Sequence, residues 1–129
     1  MPDPGTHFDG KLDIQKNGYA VYTSGPFEID DDMHSIRVVA VVTQQPQDDF
    51  VEGKESPTAI CHGDVHLDAA KLAALPGTQG RWDFSADVPA GGTPFQQGWA
   101  RGTALALVVK KNGEIETYSW SQWVWLVRP

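Results

Sequence analysis

Gly98-Trp-Ala-Arg-Gly-Thr-Ala-Leu-Ala-Leu-Val-Val109 runs through Lys110-Lys-Asn-Gly-Glu114 into Ile115-Glu-Thr-Tyr-Ser-Trp-Ser-Gln-Trp-Val-Trp-Leu-Val127. Both flanks alternate with period two, which reads as two strands joined by a turn. Asn112-Gly113 suits a two-residue type I′ turn, whose central residues both take positive φ. A loop of that length fixes the register. Lys111 then faces Glu114, Val109 faces Glu116, Leu107 faces Tyr118, Leu105 faces Trp120, Thr103 faces Gln122 and Arg101 faces Val124. One face presents Leu105, Leu107, Val109, Tyr118, Trp120, Val124 and Leu126, and it is core-like. The other presents Ala100, Gly102, Ala104, Ala106 and Val108 beside Thr117, Ser119, Ser121, Trp123 and Trp125. This second face has two readings. Either a helix or the N-terminal segment packs on it, or it is a flat surface whose Trp rings meet a ligand. A β-bulge near Gly98 or Gly102 would exchange the faces of everything beyond it.

The rest of the chain repeats the same grammar. Leu12 and Ile14 alternate with Asp13 and Gln15, Lys16-Asn17-Gly18 supplies a turn, and Tyr19 to Thr23 returns, placing Ile14 opposite Val21. Residues 25–34 read as a short edge segment ending in an acidic turn. Ser35 to Thr43 is rich in β-branched residues and apolar on both faces beyond Arg37, which predicts a central strand covered on both sides. Residues 44–57 read as a polar loop, and Thr58 to Cys61 as the start of a strand. Asp68 to Leu75 is the one helical stretch, with Asp68 as N-cap. Trp82, Phe84, Ala86 and Val88 alternate again. The expected fold is all-β, an antiparallel β-sandwich or flattened barrel with one short helix, forming a single domain over residues 1–129.

The chain has 129 residues, 10 Lys and Arg against 17 Asp and Glu, and a formal charge of −7. Residues 1–55 hold 11 acids and 4 bases, whereas residues 56–129 hold 6 of each. No basic footprint exists for nucleic acid, and anionic membrane surfaces are disfavoured for the same reason. All five Trp lie between Trp82 and Trp125. No apolar run is long enough for a transmembrane helix, and the first residues carry neither a basic nor an apolar leader region. The sequence as written is therefore expected to be cytoplasmic, or secreted if a leader has been removed. Cys61 is the only cysteine, so no internal disulfide forms.

The alternating small and apolar residues of Gly98 to Val109, the polar turn, and Thr117 to Leu126 resemble the last two strands of immunoglobulin-like and fibronectin-type modules. That resemblance spans about a quarter of the chain. It implies a sandwich serving binding or adhesion, and no catalytic residues carry over from it. The paired cysteines of antibody domains are absent, and the helix at 68–75 departs from the pattern.

Two clusters carry chemistry of their own. His62-Gly63-Asp64-Val65-His66 places His, Asp and His on one face of a strand, a donor set for Zn²⁺, with His34 and Asp32 as further ligands. On a regular strand, His62 and His66 lie about 13 Å apart, so convergence on one ion needs either a bend at Gly63 or a helix starting at Asp64 that brings His66 inward. Glu28, Asp30, Asp31 and Asp32, with Asp48, Asp49, Glu52 and Glu55, offer hard oxygens for Ca²⁺ but match no EF-hand spacing. The bland reading of both clusters is solvated turns and caps. Cys61 reads as a small core residue. Gly91-Gly92-Thr93 lacks the Lys of a phosphate-binding loop, and no catalytic triad is present.

The function expected from sequence is non-catalytic binding of a carbohydrate-like or protein ligand. Trp123, Trp125 and Trp99 would stack, Gln122, Ser119 and Ser121 would hydrogen-bond, and Tyr22 is a further, secondary candidate. The alternatives are a metal-dependent enzyme using His62, Asp64 and His66, and an assembly subunit whose Trp-bearing face forms a homo-oligomer interface.

Overall fold

A computed structural model describes residues 5–45, 58–75, 77 and 79–129. The alternating stretches form seven strands: β1 Lys11–Gln15, β2 Ala20–Glu28, β3 Met33–Gln44, β4 Ala59–Leu67, β5 Gln79–Asp87, β6 Gly98–Lys110 and β7 Ile115–Val127. They close in the order β1-β2-β5-β4-β3-β6-β7 and back to β1. The chain is all-β with one short helix as expected, but a closed mixed barrel with a parallel pair replaces the antiparallel sandwich or flattened barrel. The closing pair is parallel, with Lys11, Leu12 and Asp13 opposite Trp125, Leu126 and Val127. These strands come from opposite ends of the chain, so a parallel pair needs no tight connection between them. β1 also pairs antiparallel with β2, Ile14 lying opposite Val21. By lying between β2 and β7, β1 covers the two edges that a sandwich would leave open. Leu12 and Ile14 bury their side chains in the interior as it does so.

On the other side, β4 and β5 share a single paired position, His62 with Asp87. The connection between them carries helix α1, Ala69–Ala73. The Asp68 carboxylate caps it by accepting the Lys71 backbone N–H at 2.9 Å, and that bond holds the carboxyl below the usual aspartate range. Leu72 is buried and Leu75 packs beside it against the core.

The C-terminal hairpin departs from its expected register by one residue. Gly113 N–H donates to the Lys110 carbonyl, Lys110 N–H donates to Glu114, and the Asn112 side chain accepts the Glu114 N–H. The loop is thus the three residues Lys111, Asn112 and Gly113, with Gly113 alone left-handed at φ 90°. This is the turn-plus-bulge solution rather than the two-residue type I′ turn. Arg101 consequently faces Trp123 and Leu105 faces Ser119. A one-residue slip exchanges the two faces of a strand. In β6 the small residues Ala100, Gly102, Ala104 and Ala106 point inward, and Leu105 turns out to solvent.

The interior explains why. Phe8, Trp82, Phe84 and Trp120 fill the barrel, with Phe8 5.7 Å from Trp82 and 5.7 Å from Trp120 between ring centroids. Rings of this size leave room only for small residues opposite. A Cβ on Gly102 would sit 2.8 Å from the Phe8 ring, and one on Gly63 would sit 2.9 Å from Phe84. The expectation that β3 is covered on both sides also fails. Val38, Ala40 and Val42 are buried, but Val39 and Val41 alternate outward and are exposed.

Candidate functional site

The outward residues of β4, β3, β6 and β7 form a continuous surface, and the registers define its rows. Ile60 stands beside Thr43, Thr43 beside Arg101, and Arg101 beside Trp123. The next row is His62, Val41, Thr103 and Ser121, and the one after it Asp64, Val39, Leu105 and Ser119. At the β6–β7 end, Trp99 faces Trp125. Ile60, Val39, Val41, Leu105, Trp99 and Trp123 are all exposed, Trp123 to 63% and Trp99 to 57%. Four strands about 4.8 Å apart, over six residues of rise, give a face of about 15 Å by 20 Å. The outer surface of β2 and β5 differs in kind. It carries Ser24, Glu28, Arg81, Asp83, Ser85 and Asp87, with Arg81 paired to Asp9 and Lys16 to Asp87.

Short-range contacts hold the aromatic corner in place. Trp99 and Trp125 meet edge to face with centroids 5.1 Å apart. The Arg101 guanidinium lies 5.2 Å from the Trp123 ring centroid, and its Nε donates to Ser121 Oγ at 3.1 Å. Ser121 Oγ also lies 3.0 Å from Thr103 Oγ1. A planar guanidinium both stacks on an indole and keeps its remaining N–H groups as hydrogen-bond donors.

The structure thus gathers Trp99, Trp123 and Trp125 at one corner, and sends Gln122 inward. The Gln122 side chain accepts the Phe8 N–H at 2.9 Å and donates to the Phe8 carbonyl at 3.1 Å, so its amide clamps an internal segment. Tyr22 lies on the polar side, half-buried. Its bond to Asp83, with some burial, raises its hydroxyl above the usual tyrosine value. Ser119 and Ser121 border the exposed face.

His62, Asp64 and His66 all point outward from β4, opposite Val41, Val39 and Arg37. Asp64 is ion-paired with Arg37. Gly63 stays within a regular strand, and among the described residues no three His, Cys, Asp or Glu side chains converge on a point that could hold a metal ion. Asp32, named as a further ligand, is engaged by Lys110 at 3.3 Å. His34 is exposed at the start of β3. Of the two acidic loops considered for Ca²⁺, Asp48, Asp49, Glu52 and Glu55 lie outside the described residues. Cys61 is fully buried, and burial pushes its thiol up to about 12, so it is no nucleophile at neutral pH.

Sequence reading missed Arg101, Leu105, Val39, Val41 and Ile60 as members of the face. The available signal was the requirement of Gly113 for a left-handed backbone, which a three-residue loop meets as well as a two-residue one.

The class these features define is a closed all-β barrel with one polar side and one apolar, aromatic side. Neither a protein-family model nor a curated protein matches the sequence. Among solved structures, the chain is similar to ACE19, the collagen binding subdomain of the Enterococcus faecalis surface protein ACE. The TM-score is 0.46 with 8% identity, over 97% of this chain and 99% of that one. Spo0M, a sporulation control protein from Bacillus subtilis, gives a TM-score of 0.38 at 12% identity, over 94% of this chain and 47% of that one. Wild-type OgpA from Akkermansia muciniphila gives 0.38 at 13%, over 97% of this chain and 30% of that one. Likeness at that level carries no inference about ligand or chemistry.

Proposed function

We propose that this protein is a non-catalytic binding module that docks a protein partner on the outer face of β4, β3, β6 and β7. One observation carries the reading. Exposed Val39, Val41 and Leu105 are neighbours on β3 and β6, with exposed Ile60 and Trp123 at the two ends of the row beside them, whereas the outer surface of β2 and β5 carries mainly charged and hydroxyl side chains. Soluble chains seldom expose contiguous apolar patches beyond a few hundred Å² unless a partner covers them. Val39, Val41 and Leu105 give the middle of the face apolar contact area that suits a protein surface, while Thr103, Ser119 and Ser121 beside them supply hydrogen-bonding groups. Trp rings are also the residue type most often found at the energetic centre of protein interfaces.

A photoreactive side chain at Leu105 or Val41, introduced in the native cell, should give discrete protein adducts, and one at Ser85 on the polar side should give none. Adducts from Ser85 alone, or from no position, would refute the reading.

A further inference from the structure

We infer that the partner presents an acidic side chain to Arg101, with apolar residues beside it resting on Val41, Leu105 and Trp123. The inference rests on the docking face proposed above and names the chemistry of what it takes. Arg101 is held from two directions. Trp123 lies against its guanidinium at 5.2 Å, and Ser121 Oγ accepts its Nε–H at 3.1 Å. The terminal nitrogens keep their N–H groups without an acceptor among the described residues. A guanidinium fixed in this way offers two parallel N–H donors, the arrangement that a carboxylate accepts in bidentate fashion. Fixing it beforehand also lowers the ordering cost on binding.

Four other cations make a contrast: Arg37 pairs with Asp64, Arg81 with Asp9, Lys16 with Asp87, and Lys110 with Asp32 and Glu116. Lys11, Lys71, Lys111 and Arg128 also pair with no carboxylate among the described residues, and Arg101 differs from them in lying over an aromatic ring. In a chain with 17 acidic residues, Arg101 stacks on a Trp instead. No Asp or Glu stands beside it in the register, where its neighbours are Thr43 and Trp123. Glu28 at the end of β2, and Asp30 and Asp31 in the turn after it, lie at the far end of β3 from Thr43, whereas Asp48, Asp49, Glu52 and Glu55 lie outside the described residues. The fixed guanidinium is thus the group on this face that favours an anionic ligand. The aliphatic rows next to it favour apolar neighbours on the same ligand.

A displayed library of random dodecapeptides, selected on the wild-type chain, tests this. Enriched peptides should place Asp or Glu next to aliphatic or aromatic residues. A synthetic peptide of that kind should bind Arg101→Gln about tenfold or more weakly. Arg101→Lys, which keeps the charge and loses the fork, should fall between. Replacing the peptide's acid by its amide should cost as much as Arg101→Gln, and the two changes together little more than either alone. Unchanged thermal midpoints show that the variants are folded. Peptides that need Leu105 and Trp123 but ignore Arg101, or whose acid is dispensable, would overturn the acidic partner and leave the docking face standing. Peptides that bind a Leu105→Ser/Trp123→Ala variant as tightly as wild type would overturn both. So would a library that yields no binder. Arg101-dependent binding of a uronic-acid or sulfated oligosaccharide, with no peptide selected, would replace the acidic protein segment by an anionic glycan.

Discussion

The side-chain amide of Gln122 closes on the backbone of Phe8 from both sides, accepting its N–H at 2.9 Å and donating to its carbonyl at 3.1 Å. A single side chain thus replaces a strand neighbour for a segment that has no regular structure. Around it, Asp9 N–H donates to Ser24 on β2 and Trp125 N–H to Gly10, so residues 8–10 bridge β2 and β7. Gln122→Ala leaves the partly buried Phe8 N–H unpaired and leaves the Phe8 carbonyl only His7 Nδ1, 2.8 Å away, so it should destabilise the fold by about 1–3 kcal/mol. Urea unfolding measures it. A loss below about 0.5 kcal/mol would mean that water replaces the clamp without penalty.

Phe8 and Gly102 are coupled through space rather than through bonds. A methyl on Gly102 would press on three atoms of a ring that is 1% exposed and cannot swing away. Gly102→Ala should therefore cost about 1–3 kcal/mol, the range for overpacking a closed core. Phe8→Leu leaves a gap and is destabilising on its own. Combined, the two should cost less than the sum of the single changes, because the smaller side chain vacates the space the methyl needs. Strict additivity in denaturant unfolding would place the strain elsewhere.

The same pair shows what could be read in the sequence and what could not. Alternation located the strands, including all of β7, because period two survives any choice of register. It placed Trp120, Val124 and Leu126 opposite to Trp123 and Trp125, and in the barrel the first three point inward. For β6 the reading depended on one residue of loop length, and Asn112-Gly113 satisfies both solutions. Size then misled, since Leu105 looked like core, while the face carrying Ala104 could be read either as covered or as an open ligand surface. The interior takes Ala because Phe8, Trp82 and Trp120 arrive from three separate elements, and no local pattern reveals which small residues they will meet. Closure by a parallel β1–β7 pair was hidden for a similar reason, being a contact between chain ends. The aromatic half of the candidate face was visible as residue type. Its aliphatic half and Arg101 became visible only once β6 had turned over.

Cys61 gives a prediction about reactivity. Burial raises its thiol to about 12, and it faces the interior from β4. Thiol-disulfide reagents act on the thiolate, so the native protein should resist them at pH 8 over hours. Added urea should raise the labelling rate in step with the unfolded population. Rapid labelling without denaturant would show that β4 opens locally along its single-point contact with β5.

The slip that turns Leu105 outward also draws Lys110 inward. Its amine meets Asp32 at 3.3 Å and Glu116 at 3.2 Å, and Tyr118 donates its hydroxyl to Glu116. That hydroxyl, more than the Lys110 charge, holds the Glu116 carboxyl below the usual glutamate range, against the opposing effect of burial. Burial pulls Lys110 down, but its bonds to Glu116 and Asp32 outweigh it and hold the amine above the usual lysine value. A depressed carboxyl stabilises the fold above its unfolded value of about 4.3, and that contribution is lost as pH falls through the lower folded value. Lys110 acts in the opposite sense, stabilising below about 10.4 and losing its contribution as pH rises through its raised value. Glu116→Gln should thus be less stable than wild type by a constant margin between about pH 5 and 9, and the margin should close below about pH 4. A margin that persists unchanged to pH 2 would assign the loss to packing rather than to charge.

Solvent quenching of tryptophan fluorescence tests whether the apolar side is open in the isolated chain. Trp123 and Trp99 are more than half exposed, whereas Trp82 is fully buried. Acrylamide should therefore reach a distinct fraction of the emission, and Trp123→Phe should lower that fraction more than Trp125→Phe, since Trp125 is half-buried against Trp99. Arg101→Gln removes the cation from one side of the Trp123 ring and should increase quenching there. Binding of an acidic peptide to the face should reverse that order, shielding Trp123 in the wild type and leaving it open in Arg101→Gln. A wild-type protein whose quenchable fraction is unaffected by Trp123→Phe already has that ring covered, and the outer face of β6 and β7 could not then be the docking surface.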